Sequence, residues 1–499
     1  MSSNLSALLD ASVQFTSHII ERDSVNLDNF VSAVNFEDQL SLFCRLADIK
    51  KPISKYELIR IINAQIAHID DLLNEQVNAI LHHPKYQKLE ASWRGLHYLV
   101  LEADGIDSIK IKFLNVSWVQ LSKDLERAIE FDQSQLFRKV YSKEFGTAGG
   151  EPYGVLIGDY SIRHHPSKDH RTDDIAVLRE LSQVAAAAFA PFIASADPVL
   201  FGMDDFSGLG LPINLDSIFS QKEYIKWNAL RETEDSRFVG LTVPKVLMRL
   251  PYEHDAYRSD GFNFQEDVSK PDNSHYLWGN ACYAFGAILI QSFSHNGWFT
   301  DIRGCYSGEG QGGVVSHLPV PSFRTDKEKV AYKYSTDVLI TDFSEKALNE
   351  YGFVPLCYSK DSEYSVFYGN QSIQGAKQYD RKSAEVNAKI SSMLQYILCV
   401  SRFAHYIKVI GREKVGSFFS AQECEDYLHK WLLSYSTAST SGTEEHLAKY
   451  PLAEAKVEVK EVPGRPGVYA CVTHLKPHMQ LDQMVSAVKL VTELAEAKI

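Results

Sequence analysis

The sequence predicts a multidomain protein with an α/β to α+β fold. Between about residues 85 and 370, stretches with helical periodicity alternate with short apolar runs that are typical of strands. The 499 residues exceed the roughly 250–300 that a single hydrophobic core usually supports. With 45% apolar and 23% charged residues, the composition is that of a globular chain rather than a disordered one.

The first 50 residues contain short apolar clusters without a sustained period. We expect residues 1–50 to form an N-terminal arm or linker that orders against a partner. Ser54 and Glu57 then match the capping box that opens a helix. Behind them, apolar residues recur at steps of three and four as far as Ile80, which predicts one continuous stripe along a helix. Pro84 ends this helix, because proline disfavours a helical residue before it.

Residues 51–375 are predicted to form the α/β core domain. Helices are expected around Trp93–Val100 and Ile175–Phe189. Strands are expected at Ile109–Phe113, Gly154–Ile157, Phe238–Leu250, Val338–Thr341 and Tyr364–Tyr368. The apolar stretches Val184–Ala194 and Ala281–Ile290 are shorter than the roughly 20 residues that a membrane helix needs. We therefore expect two buried helices and no membrane insertion.

Residues 376–499 are predicted to form a separate α+β unit. The region 383–414 has the pattern of one long helix, and a second capping box at Ser420 predicts a shorter helix towards Tyr435. Three strand-like runs follow: Ala455–Val462, Gly467–Leu475 and Val485–Leu494.

The sequence contains no pattern that predicts a catalytic, cofactor or metal site. Residues 308–313 fit G-x-G-x-x-G, but a β-like run follows instead of the helix whose N-terminus would hold a pyrophosphate. The pairs His82-His83 and His164-His165 lack the spacing of a helical metal site. Catalytic carboxylates can lie far apart along a chain, so an enzyme with an unrecognised active site is the alternative.

Charge and cysteine usage narrow the function further. A net charge of −13 argues against nucleic-acid binding, which needs a basic surface. Seven scattered cysteines without a CxxC pair are typical of reduced thiols in a cytoplasm. One region is basic, because residues 376–418 hold eight basic and three acidic residues. Four of its residues share one arc of a predicted helix: Arg402, His405, Lys408 and Arg412. This basic stripe predicts either a solvated face or a surface for a charged partner.

Several blocks of sequence carry a resemblance to a known family. They are His82–Leu96 (HHPKYQKLEASWRGL), Gly240–Tyr252, Tyr276–Ala281, Thr300–Gly304 and Ser401–Tyr406. In this order they resemble the TssC/VipB family, the larger of two contractile sheath subunits of bacterial type VI secretion systems. The resemblance runs from about residue 54 to the C-terminus. It implies a structural protein rather than an enzyme, with no cofactor and with a C-terminal domain like that of contractile phage tail sheaths.

The resemblance also implies partners and a location. The family pairs with a small sheath subunit (TssB/VipA), and the pairs polymerise with further copies into a helical sheath around a tube of Hcp hexamers. The sheath assembles in the bacterial cytoplasm on a membrane-anchored baseplate and contracts to propel the tube for effector delivery. The AAA+ ATPase ClpV then takes the contracted sheath apart. We expect the basic stripe to face the inner tube.

The C-terminal strands suggest a second interface. The residues expected to take part are Val457, Val459, Val462, Tyr469 and Val472. Exposed strand edges suit the addition of a strand from a neighbouring subunit. The resemblance favours such strand exchange, and a plain hairpin inside one domain is the alternative.

Overall fold

The structure, a computed structural model, describes most of the chain. The described residues are 29–46, 54–147, 149–254, 262–270, 273–305, 312–321, 333–360, 362–413, 421–437, 444–461 and 469–478. By its contacts the chain divides into two compact units, residues 1–87 with 251–275 and residues 88–250 with 276–499. The predicted domain boundaries, at residues 50 and 375, differ from this division into units. The predicted domains stay a prediction.

The first unit is built around a long helix. Helix α1 spans Phe36–Leu46 and helix α2 spans Lys55–Leu81. The predicted capping box is confirmed: the Ser54 hydroxyl accepts the Glu57 N–H, and the Glu57 carboxylate accepts the Ser54 N–H. Helix α3, Pro84–Glu102, begins in this unit and continues into the second.

The second unit holds the remaining helices and all of the described strands. Its helices are α4 (Trp118–Arg127), α5 (Gln135–Phe137, followed by a π-helix over Arg138–Phe145), α6 (Asp174–Ala188), α7 (Leu215–Phe219), α8 (Ile225–Arg231), α9 (Cys282–Asn296), α10 (Asp342–Glu350), α11 (Lys382–Ser391), α12 (Leu394–Glu413), α13 (Ala421–Leu433) and α14 (Glu444–Lys449). Its strands are β1 (Leu156–Ile162), β2 (Phe192–Ala196), β3 (Val239–Val243), β4 (Lys245–Leu247), β5 (Trp278–Asn280), β6 (Val314–Val315), β7 (Phe353–Tyr358), β8 (Ser365–Phe367), β9 (Leu452–Glu461) and β10 (Tyr469–Pro477).

A six-stranded mixed sheet organises this unit in the order β1-β2-β3-β7-β8-β6. The first four strands are parallel, whereas β8 pairs antiparallel with β7 and with β6. Every residue of β2 and β3 is buried, as expected for parallel strands covered on both faces. Helix α9 is also enclosed, with ten of its fifteen residues buried. The predicted α/β core is thereby confirmed.

The C-terminal region packs directly on this sheet. Leu394, the first residue of α12, lies against Gly240 of β3, where a Cβ atom would come within 2.6 Å of Leu394 Cδ1. Leu394 therefore explains why a glycine suits that position. Farther along α12, Phe403 joins a separate core with Leu428 and Val457, from α13 and β9.

Several predicted elements differ from those observed. The helix predicted over 383–414 is two helices, because Met393 leaves the helical path to bridge Gln371. The stretch Val184–Ala194 is half helix and half strand, separated by Pro191. Ile109–Phe113 and Val338–Thr341 are not strands. The run Val485–Leu494 lies outside the described residues.

Candidate assembly surfaces

Helix α2 carries an apolar stripe on its surface. Only Leu81 of its 27 residues is buried. Five side chains on one arc of about 80° are 43–53% exposed: Ile59, Ile66, Ile69, Leu73 and Ile80. We call these five residues the α2 stripe. The sequence predicted Ile66, Ile69, Leu73 and Ile80 as part of the apolar helical pattern, but not Ile59. The exposure was not predicted, because periodicity gives the direction of a side chain and not what covers it.

A different face of α2 is occupied by an extended segment of the same unit. Asn74 donates to the carbonyl of Asn263 at 3.0 Å and accepts the N–H of Gln265 at 3.1 Å. One turn later, Asn78 donates to the Gln265 carbonyl at 3.2 Å and accepts the Asp267 N–H at 2.9 Å. We call residues 262–267 the strap. Sequence reading missed it, although the spacing of four between two asparagines was a signal.

The polar face continues to the end of the helix. Nε2 of His82 lies 3.4 Å from the buried carboxylate of Glu266, and the His82 ring stacks on His275 at 3.8 Å. Burial, with the neighbouring His275 charge, lowers the pKa of His82. The strap thus binds the face of α2 that carries Asn74 and Asn78, whereas the five side chains of the α2 stripe are 43–53% exposed.

The predicted basic stripe lies on α12, in the second unit, and His405 is not on its surface. The His405 side chain is 2% exposed, and its Nε2 atom lies 2.9 Å from the carbonyl of Ala188, which fixes this nitrogen as the donor. Phe145 and Phe189 flank the ring. Burial lowers the pKa of His405 to about 4. His405 is thus buried in this structure, and its contact with the tube stays a prediction.

Arg402 and Lys408 are half-buried against aromatic rings. The Arg402 guanidinium lies 4.7 Å from the Tyr406 ring centroid. The Lys408 ammonium lies 3.5 Å from the centroid of Phe145 and donates to the Tyr141 hydroxyl at 3.3 Å. Cation–π contacts of this kind satisfy a charge without a carboxylate partner.

A tube contact thus stays a prediction for Arg402, Lys408 and Arg412. The last of these belongs to α12, but its side chain lies outside the described residues. Residues Leu394–Ile410 include no fully exposed side chain, so the four residues do not form one solvent-facing stripe. The helical projection could not reveal the aromatic residues that contact Arg402, His405 and Lys408.

The C-terminal hairpin presents one covered and one open face. Val457 and Val459 are 4% and 7% exposed, respectively, and pack on Cys424 and Leu428 of α13. Val472, opposite Glu458 in the antiparallel ladder, is 53% exposed. Burial of the two β9 valines favours the plain hairpin for them, whereas Val472 remains available to a neighbour. Val462 lies outside the described residues, as does the side chain of Tyr469.

Three of the sequence blocks noted above meet in the second unit. Glu90 Oε1 accepts from Nε of both Arg94 and Arg249, each at 2.7 Å. Because Arg249 is only 7% exposed, this pair ties the His82–Leu96 block to the Gly240–Tyr252 block within the core.

A second polar contact brings in the third block. Asp159 of β1 accepts from the Ser92 hydroxyl and, at 2.7 Å, from the Asn280 amide. These contacts explain the blocks as packing determinants of the fold.

The histidine pairs considered above as possible metal ligands make contacts with nearby residues. His164 lies against His165, and His170 binds the buried Asp174 carboxylate at 2.7 Å. Among the described residues, no three His, Cys, Asp or Glu side chains are grouped as metal ligands would be. Within the same residues, no helix has the length and apolar content to cross a membrane.

Comparison with known proteins defines the class. Residues 63–374 match the VipB family model, described as the EvpB/VC_A0108 tail sheath N-terminal domain. Residues 383–494 match the VipB_2 model, the EvpB/VC_A0108 tail sheath gpW/gp25-like domain. Both matches are to domains of a tail sheath protein.

A curated relative makes the assignment specific. The chain is 40% identical over 445 residues to the type VI secretion system sheath protein TssC1 of Pseudomonas aeruginosa, covering 89% of this chain and 87% of the relative. The chain therefore belongs to the VipB/TssC family, the large sheath subunits of type VI secretion systems. The predicted resemblance is confirmed, as is a multidomain mixed fold with a C-terminal region like a phage sheath.

Proposed function

We propose that this chain is a structural, non-catalytic sheath subunit of the bacterial cytoplasm. It pairs with the small sheath subunit (TssB/VipA), polymerises with copies of itself around an Hcp tube on a baseplate, and contracts to expel the tube. ClpV then dismantles the contracted sheath. Membership of the sheath family supports this proposal.

The observation that carries the pairing is the exposed α2 stripe. Five branched apolar side chains in a row leave water when a partner helix packs on them, and each contributes roughly 1 kcal/mol for half-burial. An amphipathic helix laid along this stripe is the simplest complementary surface. We take the small sheath subunit as this partner, because members of the family pair with it.

Two further contacts complete the proposal. Strand β10 pairs only with β9 among the described residues, so its other edge accepts a strand from a neighbouring subunit near Val472. The C-terminal end of α12, with Lys408 and Arg412, is the part of the basic region that we assign to the Hcp tube. Growth of a helical polymer needs such head-to-tail contacts.

Co-expression with the small subunit, followed by electron microscopy, tests the proposal. We expect tubular filaments whose cross-section repeats around a central channel. Arg412→Glu should abolish assembly around the tube while the heterodimer stays soluble, and Lys346→Glu, on α10, is the matched control. Only monomers or closed rings from the wild-type chain would contradict the proposal.

A further inference from the structure

The segment 110–115 belongs to no helix or strand, and all six of its side chains are exposed. It follows α3 in the second unit and has the alternation Lys110, Ile111, Lys112, Phe113. The sequence predicts a strand here, yet none of the main-chain N–H and C=O groups of 110–115 bonds to any described residue. A strand-like sequence with an unpaired main chain thus lies on the surface of this unit.

Side chains hold this segment in place. Lys112 pairs with Glu144 at 2.6 Å, and Lys110 pairs with Glu151. The adjoining Val116 carbonyl accepts from the Tyr160 hydroxyl at 2.8 Å. These contacts restrict the segment before any partner binds, which lowers the entropic cost of adding one.

An apolar patch lies beside the segment. Phe113 is 64% exposed and its ring centroid is 6.0 Å from that of Trp93, which is 59% exposed. Leu89 of α3 and Leu114 are 57% and 47% exposed. Strand addition uses an unpaired main chain for affinity and neighbouring side chains for selectivity. Exposed aromatic groups beside this main chain suit both needs.

We propose that residues 110–115 accept one extended strand from the small sheath subunit, which continues the backbone ladder and covers Trp93 and Phe113. The proposal rests on the proposed function, because it takes its partner from there. The incoming strand would alternate apolar residues with neutral or acidic ones beside the two lysines.

A second copy of this chain is the less suitable occupant. Antiparallel pairing of two such segments centred on Ile111 sets Lys110 opposite Lys112, and like charges directly opposite destabilise a ladder. Strand β10 of another copy also presents a basic group, Lys476. The charges therefore favour a different polypeptide.

Site-specific cross-linking identifies the occupant. Phe113 is replaced by the photoreactive analogue p-benzoylphenylalanine in the co-expressed filaments, and the same replacement at Phe343, which is 69% exposed on α10, is the control. We expect Phe113 to link to the small subunit in excess of Phe343. Linkage only to another copy of this chain, or no excess over Phe343, would overturn the proposal.

Amide hydrogen exchange in the same filaments tests the ladder itself. Strand addition predicts that alternate amides of 110–115 exchange at least about 100-fold more slowly than unstructured amides. Free exchange throughout the segment overturns strand addition even if the cross-link forms. Filaments without the link reject this proposal and leave the proposed function standing, whereas the absence of any complex rejects both.

Discussion

Helices α9 and α2 contrast two uses of apolar sequence. Helix α9 is buried on nearly every side, and Ile288 at its centre is 0% exposed. Helix α2 is longer, yet Ile66 near its middle is 52% exposed. The same residue type thus builds the core of one compact unit and the outer face of another. The difference indicates that α2 is completed by a partner, because large contiguous apolar faces on a subunit mark interaction sites.

The largest difference between the two helices is expected when a charge is placed in each of them. Ile288→Asp should destabilise the chain by more than about 4 kcal/mol, since it buries an unpaired carboxylate. We expect loss of soluble protein. Ile66→Asp, the matched control, should leave solubility and the unfolding midpoint nearly unchanged. Equal losses in both variants would mean that α2 is covered within its own chain.

The next effect concerns binding. Ile66→Asp combined with Ile69→Asp should weaken the complex with the small subunit by about 100-fold, because both side chains lie at the centre of the α2 stripe. Titration calorimetry or a pull-down at several concentrations measures this. His68→Asp, an exposed change on another face of α2, is the control and should bind normally. Unchanged affinity in the double variant would remove α2 from the interface.

His405 extends the comparison to acid sensitivity. Its pKa in the folded chain is about 4, below its ordinary value of 6.5, so as pH falls the unfolded chain takes up the proton first. The stability that His405 contributes is present above about pH 6.5 and is lost as pH falls towards 4, by roughly 3 kcal/mol. His405→Gln keeps a donor for the Ala188 carbonyl and should flatten this part of the stability–pH curve. An identical curve for the variant would contradict burial of a neutral ring.

The smallest expected effect is on the strap. Asn78→Ala removes the amide that bonds the Gln265 carbonyl and the Asp267 N–H, at a cost of about 1 kcal/mol. Hydrogen exchange at the Asp267 amide should accelerate about fivefold. Asn63→Ala, an exposed change on the same helix, should not affect that amide. No change at Asp267 would mean that other contacts hold the strap.

Local signals in the sequence predicted local structure well. Ser54 and Glu57 located the start of α2. Long-range partners were out of reach. No residue near His405 in the sequence indicates that its ring contacts Phe145, which lies more than 250 residues earlier.

The same limit explains Ile109–Phe113. Its alternation is typical of a strand, but a strand also needs a second strand, and none of the described residues supplies one. The basic helix is the converse case. Its charged residues were predicted to face solvent or a partner. The sequence does not show that Lys408 lies against the ring of Phe145 and Arg402 against the ring of Tyr406.

A cryo-electron microscopy reconstruction of filaments made by co-expression with the small subunit would show directly what covers α2. We predict that a helix of the small subunit packs along Ile59, Ile66, Ile69, Leu73 and Ile80 and removes them from solvent. A well-ordered sheath in which these five side chains still face water would contradict it.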